Sequence, residues 1–167
     1  MLQVLQILTV SLVAVAMALA LAHALELPGK LRLAKEQYLA VQPIYYPGFT
    51  VGGAAEPLGL LMTLVLLFWM PRGGVAFWLT VGAVVSLVAM HATYWLLTHP
   101  VNNFWLKDVD LKGAGAGFFS FDPFKRTSDP ARADWTLYRD RWEYSHVVRA
   151  VFGLVSLILL VAAVTLS

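Results

Sequence analysis

His23, His91, His99 and His146 are the side chains best suited to moving a proton near neutral pH. His23 and Glu26 stand three residues apart, as do Glu143 and His146, so each pair shares one face of a helix. Trp142, His146, Arg149, Gly153 and Ser156 continue as one stripe, and His91, Trp95 and Thr98 form another, extended by Asn102 where the helix persists past Pro100. An imidazole beside a carboxylate or guanidinium can take a proton from an apolar carbon acid or a phenol. His146 and His91 are the candidate bases, and Arg149 would hold the oxyanion that forms. Trp95, Trp105, Trp142 and Tyr94 would wall a flat substrate.

The same residue types also suit a metal or a haem. Glu143-Tyr144-Ser145-His146 matches the Glu-x-x-His element of di-iron bundles, which use two such copies and two further carboxylates. This chain has one copy, a reversed His23-Ala24-Leu25-Glu26, and Glu56. Two histidines on different helices can also clamp a haem. The ligand candidates are His23, Glu26, His91 and His146. The plainest alternative makes these residues membrane-interface anchors. That reading is preferred for Arg139, Asp140, Arg141 and Glu143, which fall on the water-exposed stem expected of the last helix. With no cysteine, disulfides, zinc fingers, iron–sulfur clusters and thiolate catalysis are excluded. The glycine-rich stretch 113–117 lacks a preceding strand and a following Lys-Ser/Thr, so it reads as a hinge rather than a phosphate loop. Phe118, Phe119, Phe121 and Phe124 would fold that loop back as a lid.

These groups need a scaffold, and the composition says which kind. The chain is 59% apolar and 13% charged over 167 residues, against about 45–50% and about 25% in soluble domains. Its charges cluster near 26–36 and 107–149, leaving long uncharged blocks. The expected fold is all-α: one membrane domain, 1–167, built as an antiparallel bundle of four transmembrane helices with both termini on one side. The spans are about 2–26, 55–70, 75–98 and 143–166. An interfacial segment occupies about 31–54, with Tyr45, Tyr46 and Phe49 at headgroup depth, and a long loop with a helix extension occupies about 99–142. Residues 2–25 are too long and too poor in Lys and Arg at their start for a secretory signal. The second span is the shortest, and Gly52-Gly53 either lies outside it or dips into the membrane. Pro71–Gly74 and Pro100 read as breaks, and Ser128-Asp129-Pro130 as a cap that would start the last helix early.

Ten Lys and Arg (Lys30, Arg32, Lys35, Lys107, Lys112, Lys125, Arg126, Arg132, Arg139 and Arg141) fall on the two long connections, while Arg72 lies on the opposite side. The positive-inside rule puts those connections in the cytoplasm and both termini outside. His23, Glu26, Glu56, His91, His99, His146 and Arg149 then meet at the cytoplasmic end, and a pocket open toward the long connections is expected there.

Two stretches resemble a known family. Thr98-His99-Pro100-Val101-Asn102-Asn103-Phe104-Trp105 and Arg141-Trp142-Glu143-Tyr144-Ser145-His146-Val147-Val148-Arg149 are similar to those of the anthrone oxygenase-like family of small four-helix membrane proteins, many of them bacterial. The resemblance implies a bacterial inner-membrane oxygenase that converts an anthrone to a quinone with dioxygen and no required cofactor. It adds Asn102 as a carbonyl or oxyanion donor and His99 as a ligand-binding residue, beside Trp142, His146 and Arg149. Family members often carry Asn where this chain has His146. The expected partners are the lipid bilayer and a small apolar aromatic or quinone-like ligand. Net charge of +2 gives no reason to expect nucleic acid. A different class, an accessory subunit packed among other membrane subunits, fits the same composition.

Overall fold

The structure, a computed structural model, describes residues 1–105 and 134–167, apart from the side chains of Asn103 and Phe104. Every element among the described residues is helical: α1 (Leu2–Lys30), α2 (Lys35–Val41), a 3₁₀ turn (Gln42–Tyr45), α3 (Gly48–Gly53), α4 (Ala55–Trp69), α5 (Val75–Thr93), a π-helical turn (Tyr94–Thr98), α6 (His99–Trp105) and α7 (Trp135–Thr165). Four helical stretches are long and apolar enough to cross a membrane: Leu2–Lys30, Gly48–Trp69, Val75–Asn102 and Trp135–Thr165.

Their surfaces explain why they bundle this way. No more than 33% of any span's most apolar window is buried, so most of its leucine and valine faces outward, as lipid allows and water does not. Between the helices sit small residues. Ala16, Ala20, Gly153 and Ser156 are all buried, and a Cβ on Gly153 would stand 3.2 Å from Met17 Cα, so α1 and α7 approach closely because that side chain is missing. Hydroxyls within the spans bond their own helix: Thr9, Thr63, Thr80 and Thr93 each donate to the carbonyl four residues back. At one end Gln6 Nε2 donates to Ser167 Oγ at 2.8 Å, and at the other Lys30 Nζ stands 3.5 Å from Glu143 Oε1.

Several boundaries differ from the expectation. α1 runs through Pro28 to Lys30, whose ammonium is anchored on Glu26 at 2.9 Å. The second span gains Gly48–Gly53, which is helical and joined to α4 at Ala54. A Cβ on Gly52 would meet Leu19 at 2.9 Å, so the glycine lets α3 seat against α1. The third span does not break at Pro100. That residue is the second of α6 within a helical run that continues from Val75, and the Leu96 carbonyl, four residues before it, which its missing N–H cannot bond, accepts from Arg141 Nη2 at 2.7 Å instead. Among the described residues the last helix starts at Trp135: Asp134 has extended backbone and its carboxylate accepts from the Thr136 hydroxyl and N–H, which hold the Asp134 carboxyl below the usual range. The cap read at 128–130, the hinge at 113–117, the phenylalanines at 118–124 and most of the expected loop lie outside the described residues.

Between Thr93 and His99 the chain takes one wide turn, with His99 N–H bonded to Tyr94 O, five residues back. Such a turn holds one residue more than an α-turn, which re-aims the side chains that follow it.

Candidate functional site

A cavity of about 650 Å³ lies among α1, the 3₁₀ turn, α3, α4, α5 with its π turn, α6 and α7. That volume falls within the roughly 300–1,000 Å³ of sites that take a small organic ligand. Its walls are aromatic, with Tyr45, Phe49, Tyr94, Trp95 and Trp142 among the lining side chains. Polar lining side chains form one bonded network, and a second, of which His23 and Tyr45 line the cavity, adjoins it.

Glu56 is the hub of the first network. Its Oε2 accepts from Arg149 Nη2 at 2.6 Å and its Oε1 faces His91 Nδ1 at 3.0 Å. The indole N–H of Trp95 can only donate, and it lies 3.0 Å from His91 Nε2. His91 therefore carries its proton on Nδ1 and donates it to Glu56. The same reasoning applies to His146. Arg149 Nη1, also only a donor, lies 3.1 Å from His146 Nδ1, so the proton sits on Nε2. That Nε2 is buried and has no partner among the described residues, although His146 lines the cavity. Gln42 Nε2 and Arg149 Nε are likewise buried, unpartnered donors on lining residues.

The second network closes the end of the bundle. Lys30, only 5% exposed, reaches Glu26 and Glu143 and stands 3.5 Å from His23 Nδ1. Its ammonium also lies over the rings of Tyr45 and Trp142, at 4.6 and 4.9 Å. Tyr38 donates to Glu143 at 2.8 Å and Tyr45 to Glu26 at 2.5 Å, which ties α2 and the 3₁₀ turn to α7 and α1. Burial pushes both phenols well above the ordinary tyrosine range, and the neighbouring carboxylates add to the shift. His23 packs against His146 with ring centroids 4.1 Å apart and also contacts Tyr45, Phe49 and Trp142.

The candidate residues thus separate. His23, His91, Trp95, Asn102, Trp142, His146 and Arg149 line the cavity together. Asn102 accepts from the Trp142 indole at 2.8 Å, a bond across α6 and α7 that requires the helix to continue past Pro100. His99 is fully buried but is not a lining residue, and its Nδ1 faces the Tyr94 hydroxyl, Oη, at 3.3 Å. Glu143 is the clearest correction. It is not on a water-exposed stem but fully buried, because Tyr38 and Lys30 fold over it. Tyr45, Tyr46 and Phe49 line the cavity.

As for a metal, His23, Glu26, His91 and His146 do not converge: among the described residues no three His, Cys, Asp or Glu side chains are grouped to hold an ion. Glu143 and His146, three apart in sequence, belong to different networks. Sequence reasoning noted Glu56 but gave it no role in the site, and it missed Gln42, Lys30 and Tyr38. Glu56 had a signal, as the single charge in the stretch 48–70, and Lys30 had one in its spacing of four from Glu26. Comparison with protein-family models, with curated proteins and with solved structures returned no match.

Proposed function

We propose that this chain is an integral membrane redox protein of the anthrone oxygenase-like kind, whose cavity takes a small aromatic ketone, phenol or quinone. The observation that carries this reading is His146 Nε2–H: a buried donor, without a partner among the described residues, in an aromatic-walled cavity. A buried donor left unpaired costs about 1–3 kcal/mol, so a carbonyl or phenolate oxygen that accepts from it is bound with that gain. Gln42 Nε2–H and Arg149 Nε–H add to a donor-rich lining, which suits a ligand whose polar atoms are acceptors.

In this reading His146 and Arg149 are oxyanion donors, and His91 is the base. Glu56 holds the His91 Nδ1 proton and so presents the Nε2 lone pair, where an acidic C–H or O–H of the substrate would replace the Trp95 indole. The imidazolium that forms stays paired with Glu56. The substrate anion then passes its electrons to dioxygen. One oxygen atom ends as the new C=O on the former methylene carbon and the other leaves as water with both methylene protons.

The topology that goes with this reading is antiparallel, with the cavity and the long connections in the cytoplasm of a bacterial inner membrane. The Gln6–Ser167 and Lys30–Glu143 contacts at opposite ends of α1 and α7 support the alternation. The test is oxygen uptake and quinone absorbance with the full chain in lipid nanodiscs supplied with a tricyclic anthrone. Turnover lost in His91→Ala and Arg149→Ala is the expected result. Absence of binding and turnover in the wild type, with co-purification of other membrane subunits, would favour the accessory-subunit reading instead.

A further inference from the structure

Among the described residues the cavity is not sealed on every side. Val51, Ala54 and Pro57 line it and are also exposed, Val51 by 74%. They recur every three residues across the α3–α4 junction and so form one edge. His91 and Trp95, which also line it, are partly exposed, the His91 side chain by 33%. His91 is bonded to Glu56, the residue before Pro57, so these two edges adjoin on one side of the cavity.

The position of that opening decides what it faces. All five residues fall inside stretches long and apolar enough to cross a membrane, Gly48–Trp69 and Val75–Asn102. The neighbouring exposed residues on the same helices are Leu58, Leu61, Leu96 and Leu97. An opening ringed by such residues gives onto hydrocarbon, whereas one onto water would carry charges. A partly exposed imidazole at such a place is costly unless something covers it.

We infer that the site, on the reading proposed above, takes the aromatic head of a lipid-dissolved molecule sideways from the bilayer, between Ala54–Pro57 and His91–Trp95, while an apolar tail on that molecule stays in the hydrocarbon. The head meets His146 and Arg149 inside. The tail needs no room in the cavity, so its length is not restricted by the 650 Å³ available.

Two measurements on the full chain in nanodiscs test this. The first uses the absence of native cysteine: a nitroxide is attached at Ala54→Cys, and its collisions with oxygen and with a water-soluble nickel chelate are compared. Preferential relaxation by oxygen is expected, and preferential relaxation by the chelate overturns the lateral opening whether or not any ligand is known. The second follows quenching of tryptophan fluorescence by 1,4-benzoquinones bearing a methyl, a decyl or a long polyprenyl chain, with concentrations counted in the membrane phase. The three dissociation constants are expected to agree within about three-fold, since a tail that stays in lipid gains and loses no apolar contact. In Ala54→Trp the polyprenyl-to-methyl ratio is expected to rise by about ten-fold as the ring fills the gap. Weakening with tail length in the wild type, or an unchanged ratio in Ala54→Trp, overturns the inference while leaving the proposed function standing. If none of the quinones binds, the proposed ligand class falls, and the inference with it.

Discussion

Arg149 Nη2 and Glu56 Oε2 lie 2.6 Å apart although 93 positions separate them in the chain. The same guanidinium reaches His146, and the same carboxylate reaches His91, so four side chains from α4, α5 and α7 form one bonded row along the cavity. Charge on either partner is tolerable there only because the other is present.

Glu56→Gln is accordingly expected to be severely destabilising. It leaves Arg149 buried without its counter-ion, a loss of about 3–5 kcal/mol. Unfolding of the detergent-solubilised protein measures it, and Arg149→Gln in the same chain should recover part of the loss. Equal losses from the two single variants that simply add in the double would show that the pair is not coupled.

His146→Phe keeps a ring against His23 and Trp142 but removes the inward N–H. Binding of a quinone probe is expected to weaken about ten-fold, the effect of one buried hydrogen bond of about 1–2 kcal/mol. His146→Gln, which retains a donor, should lose less. Tryptophan quenching reads both.

Lys30→Met leaves Glu26 and Glu143 facing one another across the position of the lost ammonium. We expect about 3 kcal/mol of lost stability, and recovery when Glu143→Leu is added, because the uncompensated buried carboxylate then goes too. The readout is the same unfolding assay.

Alkaline pH should weaken the closure made by α2 and the 3₁₀ turn. The folded protein holds the Tyr38 and Tyr45 protons more tightly than the unfolded chain does, through burial first and then the adjoining Glu143 and Glu26. The stability linked to this is complete below the ordinary tyrosine value of about 10 and is lost progressively above it, as the unfolded chain ionises first. Unfolding followed from neutral pH upward should show that decline, and Tyr38→Phe with Tyr45→Phe should flatten it.

The proposed orientation predicts a labelling pattern. Arg72→Cys and Ser167→Cys, each alone in the cysteine-free chain, should react with an impermeant maleimide in intact bacterial cells. Glu36→Cys should react only after the membrane is opened. The reverse pattern would turn the topology over.

Much of the fold was legible because lipid imposes a simple rule: a backbone that crosses hydrocarbon must satisfy its own hydrogen bonds, so long uncharged stretches become helices. The spacing of His146 and Arg149, and of Ala16 and Ala20, likewise placed those residues on shared faces, since helical period is a local property. Where a helix ends is less local. The first span is expected to end near Glu26 and Pro100 reads as a stop, yet Lys30 anchored on Glu26 prolongs one helix, and the π turn carries the other unbroken past Pro100.

What lay beyond the sequence was partnership. Nothing in the one-dimensional spacing says that Glu143 turns toward Tyr38 and Lys30 while His146, three residues on, turns toward Arg149. Nor does it say that Trp95 takes the His91 Nε2 lone pair, or that Arg149 takes that of His146 Nδ1. Residue type and helical period fixed which groups lie in the bundle. Which of them bond, and hence which nitrogen carries each proton, depends on how helices distant along the chain rotate against one another, and only their packing decides that.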